Sequence, residues 1–378
     1  MNQIKRALQP RIEERMKPQK VMLIFGPRRV GKTFLLKQIV QGFAGKSLVL
    51  NGEDADSIAM LEPISIANYR HVLDGVELFA VDEAQHIPDI GKKLKLIVDE
   101  IPDIRVVASG SSSFDLKNQA GEPLVGRSTQ FTLMPFSQQE IASVESPLET
   151  KRNLEFRLLY GTYPEVVMLD SFAEKKEYLS DIVESYLLKD ILAVDGIKNS
   201  GKMRDLLRLV AYQMGSELSY DELGKQLGIS KNTVERYLDL LQKVFVLYRL
   251  DGYSKNLRKE VTKSSKWYFT DNGVRNAVIR DFTPYLNRND NERGALWENY
   301  IITERLKRNQ NERLGREFYF WRTYDKQEID LIEIGSGEMN AFEMKAGKKT
   351  PSAPKAFTEA YPEARFSVVN NENYLQMI

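Results

Sequence analysis

The sequence contains no cysteine and only two histidines, His71 and His86, among its 378 residues. Without cysteine there can be no disulfide, thiol nucleophile, iron–sulfur cluster or thiolate-bound zinc. With two histidines, a histidine-rich metal centre and a Ser-His-Asp hydrolase are both disfavoured. Any metal chemistry must therefore use carboxylates, which are ligands suited to Mg²⁺ or Mn²⁺.

The chain also lacks an excess of one charge and a long apolar run. Its 54 lysines and arginines face 53 acidic side chains, so only a local basic patch could attract a polyanion such as DNA. No segment approaches the roughly 20 apolar residues of a membrane span, and residues 1–20 have no signal-peptide core. We therefore expect a cytoplasmic protein with no membrane partner, divided into two or three domains.

A glycine-containing loop stands between an apolar run and a helix-forming run. It reads Gly26, Pro27, Arg28, Arg29, Val30, Gly31, Lys32 and Thr33. The glycines let backbone N–H groups curl around phosphates, Lys32 adds a positive charge, and the Thr33 hydroxyl can ligate a Mg²⁺ that bridges two phosphates. This pattern is a Walker A P-loop, and it predicts that these eight residues bind ATP or GTP with Mg²⁺.

A second motif, the apolar run 76–81 followed by Asp82 and Glu83, has the form of a Walker B strand. It predicts that Asp82 holds Mg²⁺ through the water shell of the ion and that Glu83 is the general base for the attacking water. A solvated acidic pair in a loop is the alternative interpretation. Apolar strands alternate with helical stretches around both motifs, which predicts an α/β fold with a parallel sheet. The predicted strands are residues 21–25, 47–51, 78–82, 104–108 and 129–133.

These motifs resemble those of AAA+ superfamily P-loop ATPases of the additional-strand type, in which another strand lies between those carrying Walker A and Walker B. The resemblance covers residues 15–140 and rests on the sequences GPRRVGKT and LFAVDEAQ. It implies that the nucleotide is ATP and that Ser109, where such ATPases usually carry Asn or Thr, senses the γ-phosphate. A plain turn is the alternative for the serine-rich segment 109–113.

Arg127, in the sequence LVGRS, resembles the arginine with which this group of ATPases contacts a γ-phosphate. The resemblance implies a catalytic role for Arg127 in the same subunit or in a neighbouring one. An ordinary surface arginine is the alternative.

Residues 137–200 are helix-prone and predict a helical lid, and the stretch after them predicts a winged helix. Two helices with a glycine turn between them are followed by strands at 246–250 and 266–270. The second helix would present Lys231 and Arg236 to DNA, but Glu235 dilutes this basic face, so DNA and protein contacts both stay open. A basic wing would add to the DNA surface, or would be a solvated loop; its residues are Lys255, Arg258, Lys259, Lys263 and Lys266.

The region after residue 290 predicts the element order α-β-β-β-α-β. The order resembles the PD-(D/E)XK nuclease fold, with Ile329-Asp330 and Glu343-Met344-Lys345 as the signature and Ile in place of the motif's Pro. The resemblance implies that Asp330, Glu343 and Glu298 hold Mg²⁺ and that Lys345 positions or deprotonates the water attacking a phosphodiester. Many proteins of this fold serve in binding only, and charged side chains on edge strands are a further alternative.

The complete order resembles a prokaryotic ATPase family whose C-terminal part is described as a domain of unknown function. The leading hypothesis is a Mg²⁺-dependent ATPase whose nucleotide cycle rearranges a winged-helix and nuclease-like region acting on DNA. The alternative is an ATP-gated binding or signalling module with a catalytically silent nuclease-like domain and a protein partner. A second copy of the chain is a further candidate partner. The predicted domains are an ATPase core, a helical lid, a winged helix and a nuclease-like domain, at residues 1–136, 137–200, 201–285 and 286–378.

Overall fold

The structure, a computed structural model, describes residues 4–110, 124–187, 200–254 and 265–378. Four of the predicted wing residues, Lys255, Arg258, Lys259 and Lys263, and the serines at 111–113 lie outside these ranges. The chain divides into two compact units. The first comprises Met1–Phe136 with Lys243–Phe245, and the second comprises Ser137–Gln242 with Val246–Ile378.

The first unit is built on a five-stranded parallel sheet, which confirms the predicted α/β class. Its strands stand in the order β2-β3-β4-β1-β5, so β4 lies between β1 and β3 as the additional-strand resemblance implies. Each strand begins within one residue of its predicted start. The strands are β1 (Val21–Phe25), β2 (Ser47–Asn51), β3 (Leu78–Asp82), β4 (Arg105–Ser109) and β5 (Ser128–Thr132).

Helices join these strands and cover the sheet. They are α1 (Leu8–Arg15), α2 (Lys32–Gly42), α3 (Ala55–Met60), α4 (Ile66–Val72) and α5 (Ile90–Glu100). Every residue of β1 and β3 is buried, as expected for the central strands of a parallel sheet with helices on both faces. One core cluster combines Phe25, Phe79 and Val106 of the sheet with Leu94 and Ile97 of α5.

The second unit begins with short helices, in agreement with the helical pattern predicted for residues 137–200. They are α6 (Gln138–Ala142), α7 (Pro147–Arg152), α8 (Leu154–Tyr160), α9 (Pro164–Met168), α10 (Phe172–Asp181), a π-helical turn (Ile182–Leu187) and α11 (Ser200–Tyr212). Ser137 and Ser146 each begin a helix with a capping box, because a glutamate three residues later returns the hydrogen bond. Packing of these helices as a lid stays a prediction.

A helix-turn-helix and a β-hairpin follow. They are α12 (Tyr220–Leu227), α13 (Lys231–Lys243), β6 (Leu247–Gly252) and the antiparallel β7 (Ser265–Phe269). Gly228 ends α12 in the left-handed region at a φ of 64°, which favours glycine, and the Ser230 hydroxyl accepts a hydrogen bond from Thr233 N at the start of α13. The predicted apolar stripe of α13, Leu238 and Leu241, is buried. These are elements of a winged helix, although that assignment stays a prediction.

The remaining elements form the predicted order α-β-β-β-α-β after a further helix, α14 (Asn272–Ile279). They are α15 (Asp290–Glu312), β8 (Glu317–Arg322), β9 (Glu328–Gly335), β10 (Glu338–Met344), α16 (Lys355–Ala360), β11 (Arg365–Val369) and a last turn, α17 (Tyr374–Met377). A small core cluster combines Trp321, Ile329, Ile332 and Ala341, on strands β8 to β10, with Phe357 of α16. A nuclease-like fold for this region stays a prediction.

The hairpin and the C-terminal strands share one six-stranded sheet, in the order β11-β10-β9-β8-β6-β7. The link is a parallel pairing of β6 with β8, in which Asp251 lies opposite Tyr319 and Gly252 opposite Phe320. This pairing crosses the predicted boundary between residues 285 and 286, and the division into four domains stays a prediction.

The turn that opens with Gly161 is fixed by the carboxylate of Asp271. Gly161 has a φ of +71°, and a Cβ placed on it would lie 1.9 Å from Asp271 Oδ1. Thr162 N donates to Asp271 Oδ2 at 2.7 Å, and Gly273 N donates to Asp271 Oδ1 at 2.8 Å at the start of α14. The turn therefore joins α8 to the N-terminus of α14, which explains a motif whose role the sequence did not reveal.

Candidate functional site

The Walker A loop connects the end of β1 with the start of α2 at the carboxyl edge of the first unit's sheet. Gly26 has a φ of +152°, and a Cβ on it would lie 2.1 Å from the backbone oxygen of Leu133, so only glycine fits. Gly31 has a φ of +92° immediately before α2. The two glycines therefore allow the curl that turns the loop amides and the helix N-terminus toward one space.

The side chains of the loop divide between the interior and the surface. Pro27 and Val30 are buried, Arg28 is half-buried and Arg29 is exposed. The ammonium of Lys32 is buried and donates to the backbone oxygens of Gly26 at 3.1 Å and Pro27 at 2.9 Å. The predicted charge donor thus lies inside the loop.

Thr33 is exposed in the first turn of α2, next to the buried Lys32. The glycine curl, the ammonium and this hydroxyl form a donor set that suits a nucleoside triphosphate and its Mg²⁺. The residues present therefore fit the ligand that the sequence predicts.

The Walker B residues stand at the same edge of the sheet, at the end of β3. Asp82 is the last residue of β3 and is 8% exposed. Glu83 follows in the left-handed region, with a φ of 47°. Because β4 is the only strand between β1 and β3, the carboxylates lie about two strand spacings, or roughly 10 Å, from the Walker A strand.

The hydroxyl of Ser109 joins the two Walker B residues. Ser109 ends β4 and is fully buried, its Oγ donates to Asp82 Oδ1, and it accepts a hydrogen bond from Glu83 N at 3.3 Å. A serine hydroxyl has one hydrogen to donate, and here Asp82 receives it. The geometry shows a positioning contact, while contact of Ser109 with a γ-phosphate stays a prediction.

Two residues that the sequence analysis missed also position Glu83. Gln85 Nε2 donates to Glu83 Oε2 at 2.6 Å, which holds the carboxylate of the predicted base. Gly52, just after β2, donates its N–H to the backbone oxygen of Asp82 at 2.8 Å, and a Cβ on it would lie 2.2 Å from Glu83 O. The glutamine two residues after Glu83 and the glycine after a predicted strand were the available signals.

Arg127 lies at the opposite end of the sheet from the P-loop, so its predicted role within the same subunit is wrong. It immediately precedes β5, and its backbone oxygen accepts a hydrogen bond from Val21 N at the start of β1. The five residues of β1 place the P-loop roughly 16 Å away at about 3.3 Å per residue. The Arg127 side chain pairs with Asp99 at 2.5 Å. Action across a subunit boundary stays a prediction.

The second unit brings together the three carboxylates predicted near its C-terminus. Glu298 lies on α15, Asp330 on β9 and Glu343 on β10. Burial, followed by the negative charges of Glu298 and Glu343, raises the pKa of Asp330 well above its ordinary value. Asp330 and Glu343 stand on the paired strands β9 and β10, and the N–H of Met344, next to Glu343, donates to Asp330 Oδ2.

Protein donors already contact each of these carboxylates. Met344 N donates to Asp330 Oδ2 at 2.7 Å, and Lys345 Nζ donates to Glu343 Oε1. Tyr268, on β7, donates from its hydroxyl to Glu298 Oε1 at 2.5 Å. Glu343 Oε2 is buried and has no hydrogen-bond partner within the described ranges.

Lys266 is an additional member of this cluster that the sequence analysis placed on the basic wing. Its side chain is 4% exposed, and its Nζ pairs with Glu328 and lies 3.7 Å from Glu298 Oε1. Burial opposes the charge, but the carboxylates of Glu298, Glu328 and Asp330 raise the pKa of Lys266 above its ordinary value. Lys266 is therefore a buried cation, and its predicted contribution to a DNA surface is wrong.

Among residues 4–110, 124–187, 200–254 and 265–378, no group of three or more His, Asp and Glu side chains is arranged to hold a metal ion. Within the same part of the chain, no helix is long and apolar enough to cross a bilayer.

The parallel sheet of the first unit carries a P-loop and a Walker B strand at one edge, the arrangement of a P-loop nucleotide-binding domain. Residues 18–142 match the family model of an AAA domain. Residues 151–285 and 293–377 match two domains of unknown function, DUF8612 and DUF4143. The AAA match supports binding and hydrolysis of ATP.

Relatives in bacteria and archaea are similar along most of the chain. An uncharacterized protein of Mycobacterium tuberculosis is 28% identical over 356 residues, which cover 92% of this chain and 76% of the relative. An uncharacterized protein of Haemophilus influenzae is 26% identical over 352 residues, with coverages of 84% and 80%. One from Methanocaldococcus jannaschii is 23% identical over 383 residues, with coverages of 95% and 82%.

Two solved structures show a distant likeness. The RuvB Holliday junction branch migration motor of Thermotoga maritima is 17% identical, with a TM-score of 0.30, over 64% of this chain and 85% of that one. A signal transduction ATPase with numerous domains and a tetratricopeptide repeat sensor, from Pyrococcus horikoshii, is 15% identical, with a TM-score of 0.31, over 83% of this chain and 50% of that one.

Proposed function

We propose that the first unit is a Mg²⁺-dependent ATPase in which Glu83 is the general base. The observation that carries this proposal is the Ser109 hydroxyl, which holds Asp82 and Glu83 together beside the P-loop strand. Thr33 and Asp82 would hold the Mg²⁺ that shields the phosphate charges.

In this proposal, residues of the P-loop bind the triphosphate while Glu83 activates water. The loop amides and Lys32 would stabilise negative charge on the β- and γ-phosphate oxygens. Hydrolysis forms a bond between the water oxygen and the γ-phosphorus and breaks the bond to the oxygen that leaves with ADP. Glu83 accepts the proton of that water, while Gln85 keeps its carboxylate oriented.

Substitution of Lys32 and Glu83 separates binding from hydrolysis. Lys32→Ala should abolish ATP binding, and Glu83→Gln should retain binding but lose turnover, measured by fluorescent-nucleotide titration and by phosphate release. Glu100→Gln, at the partly exposed end of α5, is a matched control that should leave both unchanged. Normal turnover by Glu83→Gln would show that another group is the base.

We propose further that the nucleotide cycle rearranges the second unit while this unit acts on DNA through α13. Lys231, Asn232 and Arg236 are exposed near the N-terminal end of that helix, where a recognition helix contacts bases and phosphates. Exchange of Lys231 and Arg236 for glutamate should weaken duplex binding and reduce its salt dependence in anisotropy titrations. Lys355→Glu, an exposed lysine on α16, is the matched control. Unchanged DNA affinity in the double variant would exclude this surface.

The second candidate is an ATP-gated binding or signalling module with a protein partner and a catalytically silent nuclease-like domain. Two observations favour it: Glu235 and Asp239 are exposed on the same helix, and Lys266 is buried among the carboxylates rather than on the surface. The discriminating measurement is cleavage of supercoiled and linear DNA with Mg²⁺ or Mn²⁺, with and without ATP. Cleavage that disappears in Glu343→Ala would exclude this candidate, and no cleavage with intact ATP hydrolysis would support it.

A further inference from the structure

We infer that the ammonium of Lys266 fills the cation position of the carboxylate cluster in the second unit, so that this cluster takes no divalent metal ion. The carboxylate cluster comprises Glu298, Glu328, Asp330 and Glu343. The inference concerns the second unit alone and does not depend on ATP hydrolysis by the first.

The side chain of Lys266 links three elements of the second unit. It extends from β7, pairs with Glu328 at the start of β9, and places its Nζ 3.7 Å from Glu298 Oε1 on α15. The Nζ also lies 5.4 Å from the centre of the Phe320 ring, a distance at which an aromatic face attracts a cation. An ammonium held by two carboxylates and a ring is a satisfied buried charge.

The other carboxylates of the cluster also have partners from the protein. Asp330 Oδ2 accepts a hydrogen bond from the backbone N–H of Met344, and Glu343 Oε1 accepts a hydrogen bond from the side-chain ammonium of Lys345. Glu298 Oε1 accepts a hydrogen bond from the Tyr268 hydroxyl and also lies near the ammonium of Lys266. The ammonium groups of Lys266 and Lys345 thus already supply, from within the chain, two positive charges of the kind that a metal ion would bring.

The donor set does not fit Mg²⁺. That ion requires nearly ideal octahedral oxygen coordination. Glu343 Oε2 is the one oxygen of the cluster that is buried without a hydrogen-bond partner in the described part of the chain. A dication held by Glu298 and Asp330 would also lie near the buried ammonium of Lys266, whose Nζ is 3.7 Å from Glu298 Oε1 and whose pKa is raised by both carboxylates, and like charges repel. We therefore derive no cleavage step from this cluster and assign it to holding β7, α15 and β9 together.

The inference predicts that removal of the ammonium opens the cluster to a metal ion. The probe is Mn²⁺, titrated into the nucleotide-free full chain and followed by the paramagnetic resonance signal of the free ion. The wild type should show no site that depends on Glu343. Lys266→Met should gain one Mn²⁺ site, at least about tenfold tighter than any Mn²⁺ binding by the wild type. The reason is that a unit charge about 4–6 Å away shifts the binding of a charged species by about one to three powers of ten.

Two further variants separate charge from packing. Lys266→Arg keeps the positive charge and should remain closed to Mn²⁺, whereas Lys266→Met combined with Glu343→Gln should lose the gained site. An unchanged far-ultraviolet circular dichroism spectrum and a cooperative urea transition would establish that each variant is folded.

Two results would overturn the inference. One is a Mn²⁺ site in the wild type that Glu343→Gln removes, and the other is a folded Lys266→Met that gains no site. If Lys266→Met does not fold, Mn²⁺ titrations of the wild type and of Glu343→Gln still test the inference. A Mn²⁺ site that depends on Glu343 refutes it, and the absence of such a site supports it. A failure of the proposed ATPase would appear in phosphate release and would leave these nucleotide-free titrations unchanged.

Discussion

Replacement of Ser109 by alanine should slow ATP hydrolysis without weakening nucleotide binding. The hydroxyl makes two contacts at the carboxyl edge of the sheet, one to the Asp82 carboxylate and one from the Glu83 backbone N–H. Both contacted residues belong to the proposed hydrolytic machinery, whereas the P-loop does not depend on them for its curl. Loss of the hydroxyl therefore perturbs the proposed base and the proposed metal ligand together.

The expected magnitude follows from the complete burial of Ser109. A hydrogen bond to a charged group contributes about 1.5–3 kcal/mol, and a buried N–H left without a partner costs about 1–3 kcal/mol. If about 1.4–3 kcal/mol of this loss falls on the transition state, kcat decreases roughly 10- to 150-fold. The remainder should appear as a lower free energy of unfolding of the first unit.

The assay measures phosphate release at saturating ATP together with the affinities for fluorescent ATP and ADP analogues. Ser65→Ala is the matched control: the Ser65 hydroxyl accepts a hydrogen bond from Asn68 N at the start of α4, so its loss costs about 1 kcal/mol of stability and leaves kcat unchanged. A kcat of Ser109→Ala within twofold of the wild type would refute the reasoning. A selective loss of ATP over ADP affinity would instead indicate that Ser109 senses the γ-phosphate.

Two further predictions concern stability of the second unit. Gly161→Ala should lower the free energy of unfolding by about 2–4 kcal/mol in urea titrations. The substitution imposes a positive φ on alanine and displaces the Asp271 carboxylate that caps α14. An unchanged urea midpoint would contradict this prediction. For Asp281, burial alone would raise the pKa, but hydrogen bonds from Thr283 and the charge of Arg288 lower it below its ordinary value. The contribution of Asp281 to the free energy of unfolding is therefore complete above the pKa of about 3.9 that this group has in the unfolded chain, and it is lost as the pH falls through the folded pKa. Asp281→Asn should show a shallower decline of the urea midpoint between about pH 5 and pH 2, and identical declines would count against it.

The sequence could predict the sheet of the first unit because buried parallel strands leave a direct signature. Val21–Phe25 and Leu78–Asp82 are nearly continuous apolar runs, each followed by a motif residue. The P-loop and Walker B residues therefore meet at one sheet edge wherever such strands are parallel. The position of Arg127 could have been predicted by the same rule, since a residue that precedes a parallel strand lies at the amino edge.

Other features depend on partners that are distant in sequence. Lys266 follows a run rich in lysine and looks like a surface residue until β7 brings it to Glu298 and Glu328. The contact of Ser109 with Asp82 joins the ends of two different strands. Local pattern indicates neither pairing, because tertiary packing alone decides which charged or hydroxyl-bearing side chains become buried.

The pairing of β6 with β8 has a consequence for how this chain can evolve. Separation of the hairpin from the C-terminal strands would leave unpaired backbone groups along two sheet edges, which are the sites where chains associate wrongly. The helix-turn-helix stretch and the C-terminal stretch therefore cannot be exchanged independently, as separately folding domains can. Natural variation in what this region recognises is expected in side chains and loops, with the two stretches inherited together.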